Sequence, residues 1–65
     1  MKIIVNGAER DVAAATLAEA LIQLDYAGRT VATALNGQFV PTRARPSTPL
    51  SQGDKVEVIA PMQGG

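Results

Sequence analysis

Acid and base chemistry needs carboxyl groups whose surroundings push their proton affinities apart, and this chain offers Asp11, Glu19, Asp25, Asp54 and Glu57 as candidates. Several have a simpler post. Glu19 follows Thr16 at the spacing of a capping box, where each side chain bonds to the other's backbone N–H at a helix start. Asp54 follows Gly53 in a turn, and Glu57 alternates with Val56 and Val58 toward the solvent face of a strand. Hydroxyl nucleophiles such as Ser47 and Ser51 need a partner base, and the sequence contains no His and no Cys. The same absence removes a disulfide framework, a cysteine-based zinc site and a thiol nucleophile. The glycines of "NG", "QGD" and "GG" sit at turns or at an end rather than before a helix, so no phosphate-cradling loop is formed. No catalytic residue, no metal ligand and no bound cofactor is expected. Arg43 and Arg45, close together in a proline-rich stretch, offer a surface for an acidic partner.

What is left is the last stretch, "PMQGG". Glycine has no side chain to pack and the largest backbone entropy to lose, so a diglycine end contributes almost nothing to folding. The α-carboxylate of Gly65 is nevertheless a chemical handle that needs no side chain. ATP-dependent adenylation turns a carboxylate into a mixed anhydride that a sulfur nucleophile displaces, leaving a thiocarboxylate. An end without Cβ atoms suits that chemistry, because it can thread a narrow cleft through backbone angles closed to other residues.

The remainder of the chain must hold that end out. Sixty-five residues make one small domain, near the lower size for a self-sufficient core and with little room for an enclosed active site. Six basic and six acidic side chains cancel and are spread along the chain, so no footprint for nucleic acid or an anionic membrane exists. Tyr26 and Phe39 are too few aromatics for a base-stacking surface. No apolar run reaches membrane-spanning length and no signal peptide is legible, which predicts a cytoplasmic protein, monomeric when free.

"MKIIVNG" reads as a strand with Ile3 and Val5 on one face, closing on the hairpin signal Asn6-Gly7; a short polar second strand ends at Val12. "TLAEALIQL" changes the period, with Leu17, Leu21 and Leu24 at helical spacing, and Gly28 marks the exit. "TVATALNGQFV" is a second hairpin, Val31 to Leu35 and Gln38 to Val40, turning at Asn36-Gly37. "PTRARPSTP" predicts an extended surface crossing, with Leu50 anchoring its far end. "KVEVIA" is the last strand. The spacing thus predicts an α+β domain over 1–60, one main helix packed on one face of a mixed sheet of four or five strands, followed by a flexible tail over 61–65. That order is the β-grasp arrangement of ubiquitin-like proteins.

The stretches "VATALNGQFVP", "QGDKVEVIAP" and the final "GG" resemble the ThiS family of sulfur carriers in thiamin biosynthesis, and the resemblance covers essentially the whole chain. It implies that Gly65 is adenylated by an E1-type, ThiF-like enzyme that uses ATP, with a sulfur donor such as a cysteine desulfurase. It further implies delivery of sulfur to a ThiG-like thiazole synthase, which makes the chain a protein co-substrate and not an enzyme. Gly64 would be the flexible neighbour, and Pro61, Met62 and Gln63 would line the partner's channel. Ile59 alternates away from the core and is expected, with Met62, to give a partner apolar contact. The family often has an aromatic residue in the crossing, where this chain has Pro46. The end also resembles that of MoaD, the small subunit of molybdopterin synthase. A ubiquitin-related modifier is a further destination for the same chemistry, and a β-grasp interaction module with incidental glycines is the non-carrier alternative.

Overall fold

A computed structural model describes residues 1–60. β1 (Lys2–Val5) turns at Asn6-Gly7 into β2 (Ala8–Asp11), with Val5 paired to Ala8. Asn6 and Gly7 both have positive φ, 51° and 83°, as the type I′ hairpin turn requires; its twist matches that of the strands it joins. β3 (Ala32–Leu35) and β4 (Gln38–Val40) form a second hairpin on the same turn, with φ of 50° and 85° at Asn36 and Gly37.

Between the hairpins lies α1 (Leu17–Gln23). The Thr16 hydroxyl accepts the Glu19 N–H at 3.3 Å, and the Glu19 carboxylate accepts from Ala15 N–H at 2.8 Å, one residue earlier than a strict capping box. The helix terminator differs from the expected Gly28. Asp25 takes the left-handed conformation at φ 69°, Tyr26 N–H donates to the Leu21 carbonyl at 2.8 Å and Asp25 N–H to that of Ile22 at 3.1 Å. This is a Schellman motif, and Asp is among the few side chains that enter that region without Gly's freedom.

The proline-rich stretch also departs from expectation. Thr42–Ser47 form a 3₁₀ helix, not an extended crossing. Proline holds φ near the value a 3₁₀ turn needs. The bonds that close the turns run from Ala44 N–H to the Pro41 carbonyl (2.9 Å) and from Thr48 N–H to that of Arg45 (3.3 Å), so neither uses the N–H that Pro46 lacks. Beyond it, Leu17 N–H bonds to the Thr48 carbonyl and Leu50 N–H to that of Ala15, at 2.9 and 3.0 Å, stitching the segment to the helix entry.

β5 (Lys55–Ile59) lies in the middle of a five-stranded sheet of order β2-β1-β5-β3-β4, parallel to β1 and antiparallel to β3. α1 covers one face, where Leu17, Ala20, Leu21 and Leu24 join Ile3, Val5, Val56 and Val58 in one core. Ile3 and Leu17 are fully buried, each contributing about 1.5–3 kcal/mol of transfer free energy. The single helix across a mixed sheet is the expected β-grasp fold.

Candidate functional site

The chain leads out of the sheet through its central strand. Val56 and Val58 point into the core while Lys55, Glu57 and Ile59 point to the opposite face, the period-two alternation expected of "KVEVI". Thr33 pairs with Val58 and Ala32 with Ile59, so β5 is held to its last residue. Ala60 follows, exposed. Pro61, Met62, Gln63, Gly64 and Gly65, the residues assigned to the tail and the partner's channel, lie outside the described residues.

The open face of the sheet carries a second large apolar side chain besides Ile59. Ile59 is 64% exposed, as expected. Phe39 is 70% exposed, and the register puts it on the same face: it pairs with Ala34, which pairs with Glu57, while Ala32 pairs with Ile59. In the sequence Phe39 stands out only as one of two aromatics. The signal that would have placed it was available, since Val40 faces the core and its neighbour in a strand must face away.

The two arginines part company. Arg43 is exposed, as a partner contact requires. Arg45 is not free: its Nε donates to the Thr33 hydroxyl at 3.0 Å and its guanidinium to the Val31 carbonyl at 2.6 Å. Thr33, 2% exposed, in turn donates to the Val40 carbonyl at 2.8 Å. Arg45 therefore closes a part-buried polar network that ties the 3₁₀ helix to β3, and its Nε and one terminal nitrogen are engaged within the fold.

The carboxylates do not converge. Asp54 accepts from Ser51 N–H at 2.8 Å and from the Asn36 side chain at 3.1 Å, Glu19 caps the helix, and Asp11 lies 3.3 Å from the N-terminal ammonium. Among the described residues no group of three His, Cys, Asp or Glu could hold a metal, and no helix is long and apolar enough to cross a membrane. The chemistry this geometry supports is presentation: a hydrogen-bonded sheet, exposed apolar side chains on its open face at Ile59 and Phe39, and a segment that continues from the central strand.

Comparison with known proteins agrees with that picture. The chain is similar to a thiazole synthase of Paramagnetospirillum magneticum, 36% identical over the whole chain, although it spans only 20% of that protein's length. It is 40% identical to the sulfur carrier protein ThiS of Thermus thermophilus, across 92% of this chain and 94% of that one. The crystal structure of a thiamine biosynthesis protein, ThiS, from Geobacter metallireducens superposes with a TM-score of 0.82 at 33% identity, each chain covered in full. The ThiS family model matches residues 3–65, and with the shared fold this establishes that the chain belongs to the ThiS family.

Proposed function

We propose that Gly65 carries sulfur as a C-terminal thiocarboxylate and hands it to a thiazole-forming enzyme. Membership of the ThiS family makes the chain a sulfur carrier of thiamin biosynthesis rather than an enzyme. In the proposed cycle an E1-type enzyme joins the Gly65 carboxylate to the adenylyl group of ATP and releases pyrophosphate. A persulfide sulfur from a donor such as a cysteine desulfurase then attacks the acyl carbon and displaces AMP. A thiol of the enzyme machinery cleaves the resulting acyl disulfide, taking the donor's sulfur into a new disulfide and leaving the Gly65 thiocarboxylate. The chain itself contributes reach and recognition, and works as a monomer in the cytoplasm. The observation that carries this reading is the family match, which runs through to residue 65 and so includes both glycines.

A thiazole synthase is the proposed acceptor. Support comes from the thiazole synthase relative, a fifth of which resembles this entire chain. Recognition is assigned to the open face beside the exit, where Ile59 and Phe39 present apolar surface. Arg43 stands apart as an exposed contact for an acidic group on either partner.

The test is a mass measurement after incubation with ATP, a ThiF-type enzyme and a sulfur source. Replacement of one oxygen by sulfur at Gly65 is expected, and a chain extended by one residue beyond Gly65 should remain unmodified. An unchanged mass under conditions that activate another ThiS protein, or full competence of the extended chain, rules the proposal out.

A further inference from the structure

We propose that Asn6 is a positioning residue for the reactive segment, because its side chain fixes the point at which the chain leaves the sheet. The inference rests on the carrier reading above. β1 and β5 pair in parallel only as far as Val5 and Val56, after which β1 turns away at Asn6-Gly7 while β5 runs on to Ile59. In a strand the N–H and C=O of one residue point to the same side, and alternate residues face opposite neighbours. Glu57 and Ile59 face β3; Val58 faces the gap that β1 has vacated.

Asn6 fills that gap. Its backbone N–H donates to the Val56 carbonyl at 2.9 Å, continuing the ladder by its main chain. Its side-chain Oδ1 then accepts from Val58 N–H at 2.8 Å, and Nδ2 donates to the Val58 carbonyl at 3.0 Å. The amide stands in for the next peptide unit of β1 and satisfies both main-chain groups of Val58, which are part-buried. The positive φ of Asn6 is what lets one residue both start the turn and reach across. β5 is thereby gripped from both sides to within two residues of Ala60.

Asn36 provides an internal control. It occupies the same place in the same kind of turn, and its side chain grips the other end of β5, accepting from Lys55 N–H at 2.9 Å and donating to Asp54 Oδ1 at 3.1 Å. One asparagine holds the strand where it enters and the other where it exits. Only the second bears on the reactive end. Releasing Val58 frees the end of β5, which a partner must then order as it binds, and that cost weakens capture without altering chemistry at the acyl carbon.

The experiment compares Asn6→Gly with Asn36→Gly in the full chain; glycine keeps the positive φ and removes the side chain, with the same added backbone freedom in both variants. Hydrogen exchange at the Val58 amide, stability in urea, and KM and kcat for adenylation by a ThiF-type enzyme are measured. Asn6→Gly should lose protection at Val58 and raise KM about tenfold, the effect of ordering roughly one more residue, while kcat changes less than about twofold. Asn36→Gly should lose similar stability and leave both untouched. Equal rises in KM for the two variants, or an unchanged KM for Asn6→Gly, overturn the assignment. If Asn6→Gly does not fold, Asn6→Asp keeps the acceptor but sets a carboxylate oxygen against the Val58 carbonyl, so a KM above that of the wild type is required and an unchanged KM overturns the assignment. If the wild-type chain is not adenylated at all, the carrier reading fails, and Val58 exchange alone decides whether Asn6 holds the exit.

Discussion

The two faces of the sheet are made by the same strands and have opposite fates. Toward α1, Ile3, Val5, Val56 and Val58 are no more than 6% exposed. On the reverse, Phe39 and Ile59 stand 70% and 64% exposed beside Lys55 and Glu57. A single helix can cover only one side of a sheet. In a domain of this size the covered side already carries most of the folding free energy, so the other is available for recognition. The difference separates what the fold needs from what a partner would read.

That separation is open to test. Truncating the covered side has the largest expected effect: Leu17→Ala removes a fully buried side chain under the sheet and should lower stability by about 2–5 kcal/mol in urea titration, a large share of what so small a domain possesses. A loss below about 1 kcal/mol would mean that the helix is not the main source of cohesion. Arg45→Met comes next. It strands the Val31 carbonyl and weakens the Thr33 network, so a loss of about 1.5–3 kcal/mol is expected, whereas Arg43→Ala should stay within about 0.5 kcal/mol. Equal effects at the two arginines would show that the network is not what distinguishes them. The smallest effect on the fold, and the most telling for the contrast, is Ile59→Glu. Stability should change by less than about 0.5 kcal/mol while affinity for the activating enzyme falls about tenfold. Undiminished affinity would remove Ile59 from the recognition surface.

Much of the architecture was legible because it is written locally. Asn6-Gly7 and Asn36-Gly37 specify their turns through residues that accept positive φ, and "TLAEAL" declares both a cap and an apolar stripe. Elements whose conformation depends on distant partners were not. Pro46 lies in a stretch whose proline content argues for extended chain, yet its ring fits a 3₁₀ turn that is held in place by Arg45 donating to Thr33 of β3. The helix end is a local exception: Asp25 closes it by bonds within its own last turn, but Gly28, three positions on, is the residue type that more often takes positive φ. At the site, Ile59 followed from alternation and Phe39 should have. Asn6 advertised only its turn, because its grip on Val58 spans 52 residues of sequence.

The central position of β5 has a consequence for how the molecule is made. The two hairpins are local and can close as soon as they are synthesised, but they share no edge: the strand that joins them comes after both. Cohesion therefore waits on long-range pairing, the slow kind. A chain halted before Lys55 lacks the strand that joins the hairpins, and with it Val56 and Val58 of the core that holds Ile3 and Leu17. The ribosome thus delivers the segment after Ala60 only once everything required to carry it has been translated.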